Sequence, residues 1–366
     1  MSIVICYKHK DAFAPFLSEV KGKRVAMLYD VNTAPYAHSL RQALVTAGCA
    51  LTDVYYSDAE LLPTEDKCAR AYKAAETADY VLAVGSGTLN DMAKSAATRA
   101  SIPSGVLATA ASMDGYCSAG AALMREGFKV TDTVNPPAHV LIDRDVIVTA
   151  PRIMTAAGFG DIVGKFTCLA DWQLSHLING EQIHPSAYAM MEQARAECMN
   201  AYDGLVQNDP AAVEKLMDAL IIAGKSMALC GNSRPASGSE HHQSHYLEMD
   251  FARRGEPIPA HGIKVGIGTL VSLWLYEYIA QNRVPCKNAE AVYALCTGLP
   301  KWQDVQKLLM GMGCPVRFSE IGVREQTMRD MVREAYTVRD RYTVLTLVHE
   351  LGLAEQVTPA LMQLFY

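Results

Sequence analysis

An α/β N-terminal domain built on a parallel sheet, followed by an all-α C-terminal domain, is the fold class this sequence predicts. Three observations carry it. From residue 21 to about residue 110, short β-rich runs alternate with helical stretches, which is the pattern of βαβ units. After Asp145 the pattern turns almost wholly helical, with Pro and Gly as punctuation. At 366 residues the chain also exceeds the ~250 at which single cores stop growing. The boundary is expected near residue 150, giving domains 1–150 and 151–366 and a ligand cleft where they meet.

Taken in order, residues 24–29 read as the first strand, with Asp30 closing it. Residues 35–47 have helical spacing, 50–56 read as a strand, 65–77 as a helix, 79–84 as a strand, 89–99 as a helix and 105–108 as a strand. The helical half begins with stretches at 153–158 and 161–177, and continues through 185–202, 211–229, 240–253 and 265–281. No repeat of fixed period interrupts it.

A formal charge of −6 without a Lys or Arg run argues against nucleic acid as a partner. The ten cysteines are scattered, with no CxxC pair, and most fall in apolar runs. Free thiols in a reducing compartment fit that distribution better than a disulfide framework. The apolar stretch at the N-terminus is too short for a signal sequence, and no apolar run approaches the ~18 to 20 residues of a membrane span. A cytoplasmic protein without a membrane span is the expectation.

The sharpest local motif is an apolar strand at 81–84 that enters Gly85-Ser86-Gly87-Thr88 and then a helix beginning Leu89-Asn90. A glycine turn that opens a helix offers backbone amides and a helix dipole to a diphosphate. Asn90 stands at the third glycine of the usual GxGxxG, and the bland alternative is a tight turn that needs positive φ. A second polar loop, 109–118, follows the next strand, where open sheets collect ligands. In it Thr109 and Ser112 could donate to a cofactor, or Ser and Asp could simply make local turn bonds.

In the second half, Ser237-Gly-Ser239-Glu240-His241-His242-Gln243-Ser244-His245 contains an S-x-x-E capping pattern. His241 and His245 then share a helix face. His261 precedes another helix, and Asp161 is expected to open an earlier one. Asp161, His241 and His261 form a carboxylate and two imidazoles, a set suited to Zn²⁺, Ni²⁺ or Fe²⁺. This is not the HExxH protease motif, because Glu240 precedes the histidines. Any one of these histidines alone reads equally well as a surface or core residue.

Five segments occur here in one order: residues 85–94, 109–116, 157–165 with Asp171-Trp172, 237–245, and His261-Gly262. Together they resemble the bacterial glycerol-1-phosphate dehydrogenases, in the superfamily of iron-dependent alcohol dehydrogenases, glycerol dehydrogenases and dehydroquinate synthases. The resemblance covers roughly residues 22 to 360. It implies a Rossmann-like N-terminal domain and a helical C-terminal domain in the dehydroquinate synthase-like fold. It also implies NAD or NADP, one divalent metal (zinc, nickel or iron), a small phosphorylated polyol or ketone as substrate, and a homodimer.

Carried over by residue, Gly85, Ser86, Gly87, Thr88 and Leu89 would bind the cofactor diphosphate. Thr109, Ala110, Ala111, Ser112 and Ser118 would complete the cofactor pocket, although Ala110-Ala111 stands where relatives often carry Ala-Pro. Asp114 would contact substrate; Asp161, His241 and His261 would hold the metal beside the substrate; His245 would face the substrate and relay a proton. His242 leaves a register ambiguity between His242/His245 and His241/His245, and the resemblance favours His241, whose Ser-Gly-Ser-Glu-His context and four-residue spacing to His245 match the glycerol-1-phosphate branch. Asp30 would touch the adenosine ribose or serve as a turn residue. Lys165 and Arg234 would bind the substrate phosphate or act as ion-pair partners.

The implied reaction is reversible reduction of dihydroxyacetone phosphate to glycerol 1-phosphate. The alternatives are a glycerol or other polyol dehydrogenase, a dehydroquinate synthase-like lyase, or, from another class, a non-catalytic nucleotide-sensing protein.

Overall fold

The computed structural model describes residues 3–126 and 128–366. It divides into two compact units, one running up to Pro151 and including Asn208–Met217, the other comprising Arg152–Gln207 and Asp218–Tyr366.

The first unit is organised by a six-stranded sheet. Its strands are β1 (Val4–Tyr7), β2 (Arg24–Asp30), β3 (Ala50–Tyr56), β4 (Tyr80–Gly85), β5 (Ser104–Ala108) and, after the antiparallel pair β6 (Gly120–Arg125) and β7 (Phe128–Thr133), β8 (His139–Ile142). The order is β1-β8-β5-β4-β2-β3, with every pairing in this sheet parallel. All residues of β4, β5 and β8 are buried, as strands covered on both faces must be. Cys6, Phe16, Met27, Leu82, Leu107 and Leu141 belong to one apolar cluster within the unit. The strand order reverses between β2 and β4, and open α/β sheets as a class collect ligands outside the carboxyl ends of strands at such a switch point.

The strand expectations need correction here. The strand at 24–29 is the second strand, because β1 precedes it and pairs with β8. The sequence reading also left out β6, β7 and β8; four-residue strands such as β1 and β8 are too short to show a period, and β8 is buried throughout. The segment Asn208–Met217, far beyond residue 150, groups with this unit. Its Glu214 receives Arg144 (Nη2 at 2.8 Å), and Asn208 donates to the Val148 carbonyl (3.1 Å).

The second unit is helical among its described residues. The helices that matter most are Arg152–Val163, Lys165–Asn179, Ser239–Arg254 and His261–Gln281. The stretches Arg152–Asn179 and His261–Gln281 are long and apolar enough to cross a membrane, yet 83% and 78% of their apolar windows are buried inside the protein, as in core helices. Asp161 does not open a helix as expected. It lies in the last turn of Arg152–Val163, because Gly158 and Gly160 are accommodated within that buried helix and the break comes at Gly164.

Candidate active site

In the first unit, the Gly85 turn sits where β4 ends and the helix Gly87–Ala100 begins. A Cβ on Gly85 would lie 2.4 Å from Leu89 Cδ1, so the residue is small because the helix packs against it. Neither Gly85 nor Gly87 has positive φ, so the explanation by a left-handed turn does not apply. Ser86 is the N-cap of that helix and gives its amides no side-chain bond, which suits an anion acceptor there. The Thr109 amide donates to the Gly85 carbonyl (3.2 Å), so the two polar loops lie together.

In the second loop, Ala110 and Ala111 are buried, and the Ala110 carbonyl accepts from Tyr116 Oη (2.7 Å). Buried Asp114 begins the short 3-10 helix Asp114–Cys117. Fully buried Lys94 donates to the Gly120 carbonyl (2.6 Å) and the Gly115 carbonyl (3.1 Å), and pairs with Asp91 (2.9 Å), tying this loop to the helix behind it. Asp30 is engaged locally, accepting from the Asn32 and Thr33 amides at 2.9 Å, which is the turn alternative of its sequence reading.

The second unit brings the three sequence-predicted ligands together. One donor atom each from Asp161, His241 and His261 lies within 4.8 Å of the others. His241 Nε2 is 3.7 Å from Asp161 Oδ1, and the His241 and His261 rings are 5.1 Å apart. The approach depends on two glycines beside the ligands. A Cβ on Gly262 would fall 1.8 Å from the Ala157 carbonyl oxygen, and one on Gly160 would fall 2.3 Å from the Gly262 carbonyl oxygen. The helices Arg152–Val163 and His261–Gln281 therefore meet backbone to backbone, which sets Asp161 against His261.

Each imidazole rests on a buried carboxylate. Glu240 Oε1 is 2.7 Å from His241 Nδ1; Glu248 Oε1 is 3.1 Å from His261 Nδ1; Glu248 Oε2 is 3.1 Å from His245 Nδ1. A neutral imidazole donates at Nδ1 in that setting and keeps its lone pair at Nε2. Burial, followed by the Lys165 charge, pushes His241 well below the ordinary histidine range. Burial also takes His245 down to about 4, against the opposing pull of Glu248. Two imidazoles with oriented Nε2 atoms, plus one carboxylate, fit a divalent transition metal.

His245 completes the cluster, its ring 5.7 Å from that of His261 and 6.1 Å from that of His241. Its Nε2 accepts from Arg339 Nη2 at 2.9 Å. His242 lies outside the group of three, fully buried, and neither of its ring nitrogens has a hydrogen-bond partner among the described residues.

The capping expectation changes as well. The helix is Ser239–Arg254, and Ser237 Oγ makes no hydrogen bond among the described residues. Asp171, fully buried, caps from a distance: its Oδ2 accepts from the Ser239 amide (2.6 Å), and its Oδ1 accepts from the Val344 amide (2.7 Å) and Tyr276 Oη (2.7 Å). Glu240 reaches back to the Gly238 amide (2.7 Å) and accepts from Thr167 Oγ1 (2.6 Å).

Both suggested phosphate binders are engaged inside the protein. Lys165 Nζ donates to Asp161 Oδ1 (3.0 Å) and the Ala236 carbonyl (2.8 Å), and both side chains of that ion pair are fully buried. Arg234 pairs with Glu181 (3.0 Å) and donates to the carbonyls of Asp171 and Tyr342 at 2.9 Å. Sequence reasoning missed Glu248 and Arg339. The i,i+3 spacing of His245 and Glu248 was the available signal for the first; nothing local marks the arginine.

Residues 8–151 match the family model for iron-containing alcohol dehydrogenases. A glycerol-1-phosphate dehydrogenase [NAD(P)+] from Bacillus velezensis is 33% identical over 357 residues, covering 95% of this chain and 91% of the relative. One from Bacillus subtilis is 31% identical over 363 residues, with the same coverage of 95% and 91%. In fold, glycerol dehydrogenase from Schizosaccharomyces pombe superposes with a TM-score of 0.73 at 17% identity, covering 98% of this chain and 89% of that one. The chain belongs to the glycerol-1-phosphate dehydrogenase family, among the metal-dependent oxidoreductases of the iron-containing alcohol dehydrogenase type.

Proposed function

We propose that this protein catalyses the reversible NAD(P)-linked interconversion of dihydroxyacetone phosphate and glycerol 1-phosphate. The observation that carries the reading is the convergence of Asp161, His241 and His261 within 4.8 Å, in a chain one-third identical to curated enzymes of that name. A zinc or nickel ion held by these three residues would supply Lewis acidity at the substrate's C2 oxygen.

The remaining roles fall to the chain itself. Glu240 and Glu248 hold the ligand imidazoles with Nε2 presented. His245, kept neutral by burial, carries its proton at Nδ1 toward Glu248, and its Nε2, which accepts from Arg339, becomes the basic atom for proton exchange with the alcohol when Arg339 releases it. In the first unit, Gly85 to Leu89, with Thr109 to Ser112 and Ser118, would hold NAD or NADP, and Asp114 would orient a substrate hydroxyl. The buried thiols support a reducing, cytoplasmic setting.

The test is loss of nicotinamide absorbance when dihydroxyacetone phosphate is added to enzyme reconstituted with zinc or nickel, with NADH and NADPH assayed separately. Consumption with dihydroxyacetone phosphate, against none with dihydroxyacetone or glyceraldehyde 3-phosphate, is expected. Equal rates with dihydroxyacetone would make it a polyol dehydrogenase. Stoichiometric consumption would itself exclude a dehydroquinate synthase-like lyase, which regenerates its cofactor.

A further inference from the structure

The segment leading into the helix Val344–Glu350 places two arginines on one serine. Arg339 Nη1 donates to Ser233 Oγ at 3.0 Å, and Arg341 Nη2 donates to the same oxygen at 2.7 Å. Arg341 Nη1 continues to the Ser237 carbonyl (3.1 Å), while Arg339 Nη2 reaches His245 Nε2 (2.9 Å). Among the described residues no carboxylate accepts a hydrogen bond from either guanidinium.

Both groups are largely withdrawn from water. Burial lowers Arg339, with Glu248 opposing; it lowers Arg341 to about 10, with the like charges of Arg339 and Arg234 adding to the effect and Glu181 opposing. Desolvated like charges side by side are costly unless an anion meets them.

Unsatisfied buried groups surround the pair. Arg234 Nη1, Ser237 Oγ and both ring nitrogens of His242 are buried without a hydrogen-bond partner among the described residues. His242 feels Arg341, Arg339 and Arg234 directly, which places it in the same neighbourhood. Arg339 and Arg341 also line a cavity of about 560 Å³, together with Ser175, Asn179, Tyr336 and Thr337. Of the acids that line it, Glu181 is paired with Arg234, and Asp340 is exposed.

We propose that Arg339 and Arg341, bridged by Ser233, form an oxyanion subsite that receives the phosphate monoester of the substrate, with Arg339 linking that subsite through His245 to the Asp161, His241 and His261 cluster. This rests on the glycerol-1-phosphate reading and names the residues that would make the enzyme select a phosphorylated three-carbon substrate. A guanidinium fork matches phosphate oxygens in charge and shape. Ser233 Oγ, already accepting from both arginines, keeps its own hydrogen for a phosphate oxygen.

The experiment uses the metal-loaded enzyme, with initial rates on dihydroxyacetone phosphate and calorimetric titration with orthophosphate. Arg341→Gln is expected to raise KM for dihydroxyacetone phosphate about 10- to 100-fold, with a smaller effect on kcat, and to weaken orthophosphate binding by a similar factor. Arg341→Lys, which retains the charge and guards against a folding defect, should fall between the two. Wild-type KM and wild-type phosphate affinity in both variants would overturn the subsite. If the wild-type enzyme fails to reduce dihydroxyacetone phosphate, the functional reading fails; orthophosphate affinity lost in Arg341→Gln would still uphold the anion subsite.

Discussion

Replacing Gly262 by alanine tests how closely the metal cluster depends on one helix crossing. The added Cβ would lie 1.8 Å from the Ala157 carbonyl oxygen, whereas ordinary contact begins at 3.4 Å, so the two backbones must part by about 1.6 Å along that line. The obstacle is main chain and cannot swing aside as a side-chain tip would. Overpacking of this kind costs about 1 to 3 kcal/mol, which in a unit of this size lowers Tm by roughly 2 to 12 °C. His261 is the neighbouring residue, and metal ligation tolerates errors of only about 0.2 Å, so the same parting should deplete bound metal. Differential scanning calorimetry and metal content after gel filtration measure both effects. A variant that melts within 1 °C of wild type and keeps its full metal would refute the argument that backbone contact at Gly160 and Gly262 aligns Asp161 with His261.

Three further outcomes follow from the same geometry. His261→Ala should lose metal and turnover while cofactor affinity, read by nicotinamide fluorescence, stays near wild type; undiminished turnover would remove His261 from the ligand set. Glu248→Gln should lower metal affinity about 10- to 100-fold in chelator competition, because that carboxylate aligns both His261 and His245, and an unchanged affinity would show the contact to be incidental. Burial pushes His242 down to about 3 from 6.5, so the folded state disfavours its proton. Its contribution to stability is whole above pH 6.5 and is lost as the pH falls from 6.5 toward 3, at up to about 1.4 kcal/mol per pH unit. Urea unfolding between pH 7 and 5 should therefore show a shallower slope for His242→Gln than for wild type, and parallel slopes would contradict a buried, neutral His242.

The α/β and helical halves and the glycine turn at Gly85 were legible from residue order, and Asp161, His241 and His261 could be named there as candidates without their convergence being visible. Local chemistry leaves marks at fixed spacing: an apolar strand into Gly-Ser-Gly, or histidines four apart on one helix face. Pairings between distant segments leave none. Strand β1 finds β8 across most of the first unit, Asp171 caps helices beginning at Ser239 and Val344, and Arg339 and Arg341 meet Ser233. The choice between His241 and His242 as the histidine beside Asp161 belongs to this second kind. Adjacent residues on a helix point about 100° apart, and only the packing of Ser239–Arg254 against its neighbours turns His241 toward Asp161 and buries His242 elsewhere. Sequence alone determined which chemical groups this protein carries and the local elements that bear them. Tertiary structure decided which of those groups share a charge, a proton or a space, because such terms depend on distances through the fold.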